Sequence, residues 1–382
     1  MGNRLIYADN SATTPIHAEV LTRMMPYLTT CYGNPSSAHT PGRDSRKAIE
    51  QARSEVAALM NAKPEEILFT GCGSEADNLA LRGCLSAGKA AGKKHLIVSA
   101  AEHPAVLQTA LALEREGYRL TVLPVDEYGR VDPAAVAQAI CPDTALVSVI
   151  FANNEIGTIN PIAEIGRICR EKGVLFHTDA VQAYGRVPVD VREMCIDLLS
   201  LSGHKLNAPK GVGALFVREG VQIDPILTGG GQEQGLRPGT ENVAYLVALG
   251  EAARLKQKNC AREAMYLGYL ADVLTEGMLS IPGAVQTGDP ENRLPGHCSF
   301  CISGVDGGEL VRRLDEDGIC ISAGSACHAG CFRPSAVLLA IGMDPELARG
   351  AIRITLGAQN TEEDVDAILA ALRRACAALR GA

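Results

Sequence analysis

The feature that most constrains this chain is an alternation of two kinds of segment. Short runs of Val, Ile, Leu and Phe recur, separated by longer stretches with apolar residues at helical spacing. Seven runs read as strands: Glu66–Thr70, His95–Ala100, Arg119–Val125, Ala145–Phe151, Val174–Asp179, Asp197–Ser202 and Gly213–Arg218. Helices are predicted between the first five, at Glu75–Leu85, Pro104–Glu116, Pro133–Ile140 and Ala163–Glu171. Strands joined through helices need crossover connections, which make neighbouring strands parallel and cover both faces of the sheet. The expected fold class is α/β, with a mainly parallel seven-stranded sheet and helices on both faces. Ligands of such sheets gather at the carboxyl ends of the strands. The residues just after each strand are therefore the candidate site.

Past about Gly239 the pattern changes. Two long helices are expected, near Glu241–Gln257 and Arg262–Met278, then a strand at Cys298–Ser303, a helix at Gly307–Glu316, a strand at Ile352–Leu356 and a closing helix at Thr361–Leu379. This predicts a large domain over 1–255 and a smaller α+β domain over 256–382, with the first ~13 residues packing against the latter. With 44 acidic against 36 basic residues and no basic run, direct nucleic-acid binding is not expected. No apolar stretch reaches the roughly 20 residues of a membrane span, and the first residues lack a signal-peptide core. Thirteen cysteines, an odd number on such a chain, fit reduced thiols in the cytoplasm better than a disulfide framework.

The strand ends offer a recognisable set of chemistries. After the first strand, Gly71-Cys72-Gly73-Ser74-Glu75 opens a helix, where free backbone N–H groups and the helix dipole favour a phosphate; an ordinary capped turn reads the same way. His103 precedes a helix-starting proline. Asn153, Asn154 and Glu155 form a polar cluster, while Asp179 and Gln182 follow a buried strand. Gly203-His204-Lys205 follows another. A lysine at the mouth of a buried sheet is rare, and desolvation there prepares it to form a Schiff base. Each signal alone has a bland reading. Together, an anion cradle, an acid, an imidazole, amides and a lysine are the parts of a pyridoxal phosphate site.

Among the thiols, Cys327 sits in a Gly/Ser/Ala-rich stretch, Gly318–Cys327, suited to an accessible nucleophile, with His328 and Arg333 nearby. Most of the other cysteines read as small buried hydrophobes. Cys298 and Cys301 form a C-x-x-C pair, but positions three apart on a strand face opposite sides and cannot chelate together, and no metal is expected.

Read together, the segments resemble a cysteine desulfurase of the NifS/IscS type, in the class V aminotransferase superfamily. They are Tyr7–Pro15, Tyr32–His39, Glu102–Leu107, Asn153–Gly157, Phe176–Gly185, Ser202–Leu215, Gly229–Asn242 and Gly324–Cys327. The combination of NNEIG, RPGTEN and SAC is the most specific part. The resemblance implies the fold type I of pyridoxal 5'-phosphate transferases, with Lys205 holding the cofactor. Asp179 would pair with the ring nitrogen, His103 stack on the ring and Gln182 reach the ring oxygen. Gly73, Ser74, Ser202 and His204 would bind the phosphate, joined by Thr240 from the partner subunit of a homodimer. Asn154, Arg353 and Asn34 would hold the substrate carboxylate. Cys327 would take sulfur from L-cysteine, releasing alanine and passing a persulfide to an acceptor protein such as an iron–sulfur scaffold. The family's Ser-Gly-Ala-Thr-Glu is replaced by Gly71–Glu75, which adds a thiol at Cys72; Gly357-Ala358 replaces Gly-Arg; His328 and Cys331 replace small hydroxyl residues. Other readings are a selenocysteine lyase, another class V enzyme, or a non-catalytic sulfur carrier.

Overall fold

The computed structural model describes residues 4–324 and 334–381, so Cys327, His328 and Cys331 lie outside the described residues. All seven expected strands are present and form one sheet. Across it they run Ile67–Thr70, Gly213–Val217, Leu198–Ser202, Leu175–Asp179, Thr144–Ser148, His95–Ser99 and Arg119–Leu123. Gly213–Val217 pairs antiparallel with both neighbours, and every other pairing is parallel. Side chains alternate between two cores. Phe69, Ile97, Val147, Phe176 and Phe216 face one, whereas Leu68, Leu96, Leu146, Leu198 and Leu215 face the other. That alternation, with both sides apolar, is what helices on both faces require.

A four-stranded sheet stands apart, with Ser322–Ala323, Ala351–Thr355, His297–Ile302 and Ala284–Gln286 in that order. Its own core gathers Leu270, Leu274, Phe300, Ile352, Ile354 and Leu372. Cys298 belongs to that core, while Cys301 packs with Ala101, Ile156 and Leu338 on the opposite face. The N-terminal strand Ile6–Tyr7 pairs with Ile319–Cys320, and Asp9 bridges to Thr355.

Three features differ from the sequence reading. The two helices expected at 241–257 and 262–278 are one helix of 37 residues, Val243–Leu279. The intervening Lys258-Asn259-Cys260-Ala261 contains neither Gly nor Pro, so nothing breaks it. Its first turns bury Val243–Ala253 in the large core, and its last bury Leu270, Leu274 and Met278 in the small one. Two further helices, Ala18–Thr29 and Thr40–Ala58, carried no expectation. Pro26 inside the first and the polar run Gly42–Lys47 at the start of the second mask their helical spacing. Finally, Cys31 is exposed, and Cys141, Cys260 and Cys320 are half-buried, so packing does not account for these four thiols.

Helix Thr40–Ala58 crosses the long helix at Gly250. A Cβ added there would lie 2.5 Å from Ala52 Cα and 2.7 Å from its Cβ. Alanine should gain up to ~1 kcal/mol of helix propensity, but a backbone atom cannot yield as a side chain can, and overpacking of this kind costs about 1–3 kcal/mol. Gly250→Ala is therefore expected to lower the midpoint of thermal unfolding. A midpoint at or above that of the parent chain would show that the helices separate freely.

Candidate functional site

At the carboxyl edge of the large sheet a cleft of about 350 Å³ opens. Larger grooves of about 650 and 700 Å³ exist elsewhere, but neither contains this set of lysine, imidazole and carboxylate. The cleft is lined by Gly73, Ser74, His103, Asn154, Asp179, Gln182, Ser202, His204, Lys205 and Arg353. Asn34 and Thr240 are exposed and do not line it. Their neighbours Pro35, Ser36 and Glu241 border the groove of about 650 Å³.

Lys205 follows strand Leu198–Ser202 in a single helical turn, Gly203–Lys205. Its Nζ donates to the carbonyl oxygens of Ser11, at 2.5 Å, and Ala12, at 2.8 Å. Burial, together with the charges of Arg353 and Arg186, pulls the amine down from 10.5 to about 8. About a tenth of the amine is thus free at pH 7, far more than for an ordinary lysine, as a nucleophile or base needs. Asp179 ends its strand with 3 % exposure and accepts a hydrogen bond from Val181 N–H at 2.9 Å. Burial raises its pKa above the ordinary carboxylate value, against the opposing pull of His103 and Lys205.

His103 caps helix Pro104–Arg115, and its Nδ1 accepts from Ala105 N–H at 3.1 Å. Burial lowers its pKa, which keeps the ring neutral and free to lie against an aromatic ligand. Gln182 donates to Ser11 O at 3.0 Å, and its buried Oε1 has no hydrogen-bond partner among the described residues. The helix Gly73–Gly88 begins at the cleft, and its first N–H groups lack intrahelical acceptors. A Cβ at Gly73 would lie 2.8 Å from Val181 Cγ2 and 3.3 Å from Ser202 Cβ, so the backbone itself forms the floor.

Arg353 comes from the small sheet. Its guanidinium donates to Asn154 O at 2.9 Å and to Asp9 Oδ1 at 2.8 Å, and its buried Nε has no hydrogen-bond partner among the described residues. Sequence reasoning missed Ser11 and Ala12, whose contribution is backbone, and Asp77. Asp77 is 1 % exposed, lines the cleft, and lies 3.7 Å from His177 Nε2. Its signal was present: an acid four residues past Gly73, one helical turn in, on the same side of the helix as Ala80 and Leu81. Burial and the neighbouring Asp179 hold its carboxyl well above the usual range.

The profile of the class-V aminotransferase family matches residues 6–368. The chain belongs to the class-V aminotransferase family. Among relatives, the cysteine desulfurase IscS of Methanosarcina thermophila is 48 % identical over 367 residues, covering 96 % of this chain and 91 % of that protein. A solved NifS-like protein superposes with a TM-score of 0.92 at 36 % identity, covering 98 % of this chain and all of that one. A structure described as SspA in complex with cysteine gives a TM-score of 0.82 at 37 % identity, covering 92 % and 98 %. The class-V cofactor is pyridoxal 5'-phosphate. The cleft of this class-V chain fits it: the unpartnered Gln182 Oε1, the side-chain-free floor at Gly73, the open helix N–H groups and an amine near pH 8 are the required complement.

The lowered Lys205 constant has a direct consequence. In cofactor-free protein, acylation of Lys205 by an amine-selective reagent, followed by peptide mapping, should rise with pH through about 8. A profile rising only near 10.5, as for an ordinary lysine, would contradict the desolvated site.

Proposed function

We propose that the chain is a pyridoxal phosphate-dependent cysteine desulfurase, in which Lys205 moves the proton and Cys327 takes the sulfur. The observation that carries this reading is the desolvated Lys205 amine facing Asp179, His103 and Arg353 in one cleft. When bound, the cofactor supplies an electrophilic carbonyl and an electron-withdrawing ring that acidifies the α-carbon of an amino acid.

The chain's own residues do the rest. Gly73 and Ser74 N–H, with Ser202 and His204, would hold the phosphate. Asp179 would pair with the ring nitrogen, His103 would cover the ring and Gln182 would bond its oxygen. Arg353, beside Asn154, receives the substrate carboxylate in a charge-assisted contact; Asn34, which lies outside the cleft of its own chain, has no part in this contact. The deprotonated Nζ of Lys205 takes the α-proton. Cys327 thiolate attacks the substrate sulfur, so that one S–S bond forms as the C–S bond breaks, leaving alanine and an enzyme persulfide. Ser322 pairs with Arg353 in the small sheet, and Cys327 lies five residues further on. Five extended residues reach roughly 17 Å, enough to span a cleft of this size.

The reading includes a homodimer in which Thr240 completes the partner's phosphate site, consistent with its exposure away from its own cleft. Leu21, Met25 and Leu28 on helix Ala18–Thr29 are 45, 43 and 52 % exposed at helical spacing, an apolar stripe suited to such a contact. It also includes two domains sharing the long helix, a cytoplasmic setting that keeps thiols reduced, and an iron–sulfur scaffold as sulfur acceptor. The described cysteines are unpaired, which suits that setting.

Two measurements test the reading. With L-cysteine, Cys327→Ala should retain the bound cofactor's visible absorbance but form almost no persulfide or sulfide; undiminished sulfide would sink the nucleophile assignment. Arg353→Ala removes a charge-assisted contact of ~1.5–3 kcal/mol, so KM for cysteine should rise roughly 10- to 150-fold. An unchanged KM would place the carboxylate elsewhere.

A further inference from the structure

The opposite edge of the large sheet, at the amino ends of three strands, brings together His95, Cys141 and Asp143. Their ligating atoms all lie within 4.8 Å of one another. We propose that these three side chains bind a thiophilic divalent cation of the zinc class, at a site separate from the cleft. His95 starts strand His95–Ser99, while Cys141 and Asp143 flank Pro142 in the turn entering Thr144–Ser148.

The spacing is the first argument. Cys141 Sγ is 3.3 Å from His95 Nδ1 and 3.4 Å from Asp143 Oδ1. Bonds of about 2.3 Å to sulfur and 2.0 Å to nitrogen or oxygen, at a tetrahedral angle, set ligand–ligand edges of roughly 3.5 Å. The donors are already close to those edges, so little movement is needed to admit an ion. A fourth position stays open to solvent, because Cys141 and Asp143 are half-buried and not enclosed.

The second argument is the shell behind the donors. Thr144 Oγ1 accepts from Cys141 N–H at 2.9 Å and shares a hydrogen bond with His95 Nδ1, also at 2.9 Å. His95 Nε2 shares a second with Thr121 Oγ1 at 2.8 Å. In the tautomer with its proton on Nε2, Nδ1 carries the one ring lone pair and lies between Thr144 Oγ1 and Cys141 Sγ, so a bound ion takes the place of the Thr144 hydrogen bond while Thr121 still holds the ring. The turn is fixed by Lys94 and His95 N–H groups donating to Asp143 O at 2.9 and 3.1 Å.

A cation already occupies the outer side of the cluster. Arg119 Nη2 donates to both Cys141 Sγ and Asp143 Oδ1, at 2.7 Å each. Its side chain is 49 % exposed and can leave for solvent at small cost. Metal binding is thus an exchange of cations: the ion enters, the thiol releases its proton to solvent, and the guanidinium swings out. Lys93, bonded to Pro142 O at 2.8 Å, adds a further positive charge and holds the affinity down. Sequence spacing gave no hint, since His95 and Cys141 are 46 residues apart.

Zinc titration of the holoenzyme against a chromophoric chelator, with cobalt(II) as spectroscopic probe, tests this. A thiolate-to-cobalt charge-transfer band is expected, lost in Cys141→Ser, with affinity falling roughly 10-fold or more in Cys141→Ser and in Asp143→Asn. Arg119→Ala should bind zinc more tightly than the parent, which a merely structural turn would not do. Thermal unfolding of each variant confirms that it is folded, and buried His95 is left intact for that reason. No cobalt–thiolate band, a band retained in Cys141→Ser, or an unchanged affinity in Arg119→Ala would overturn the proposal.

Discussion

Parallel strands end on the same edge of a sheet, and the cleft depends on that geometry more than on any single bond. Strands Ile67–Thr70, His95–Ser99, Thr144–Ser148, Leu175–Asp179 and Leu198–Ser202 all point the same way, though the first is separated from the last by Gly213–Val217. That inserted strand runs antiparallel to both neighbours, which preserves the common direction across the gap. Residues from segments more than a hundred positions apart therefore converge without any long loop: Gly73 and Ser74, His103, Asn154, Asp179 and Lys205. Desolvation follows from the same arrangement. The strands are buried on both faces, so polar groups at their ends sit beside apolar cores and not in bulk water. The lowered amine of Lys205 and the raised carboxyls of Asp77 and Asp179 share this origin.

Much of this was legible in the chain. Strands of a doubly covered sheet are apolar throughout, so their positions emerge from a short window, and the site residues follow by reading one step past each end. Two kinds of feature resisted. Helices Ala18–Thr29 and Thr40–Ala58 are amphipathic, but a proline in one and a polar opening in the other interrupt the pattern. Their helical state is set by packing against the long helix, a tertiary effect that no local window contains. The continuity of Val243–Leu279 was hidden for the opposite reason. Its middle crosses between two cores and turns polar, and loss of amphipathicity reads like a loop although nothing in the residues breaks the helix.

The site itself shows a finer limit. Side chains with distinctive chemistry, such as Lys205 and His103, announce themselves, whereas Ser11 and Ala12 act through carbonyl oxygens that any residue carries. The cysteines make the same point from another side. Counting them suggested a reducing setting, and the strand pattern correctly put Cys298 and Cys301 on opposite faces. Neither the count nor the spacing distinguishes Cys84, sealed in the core, from Cys141, which meets an imidazole, a carboxylate and a guanidinium at one turn. Those partners come from different strands, and only the register of the sheet brings them together.

Arg353 ties these threads together. It stands on the small sheet, yet its hydrogen bonds go to Asn154 on the large sheet's loop and to Asp9 on the N-terminal segment. In the proposed reaction the same guanidinium meets the substrate carboxylate, so recognition and the joining of two folding units share one side chain. Evolution cannot retune one task without disturbing the other. A lineage seeking a substrate without that carboxylate would have to rebuild the contact between the units first. Change of specificity is easier at a side chain that serves one task alone.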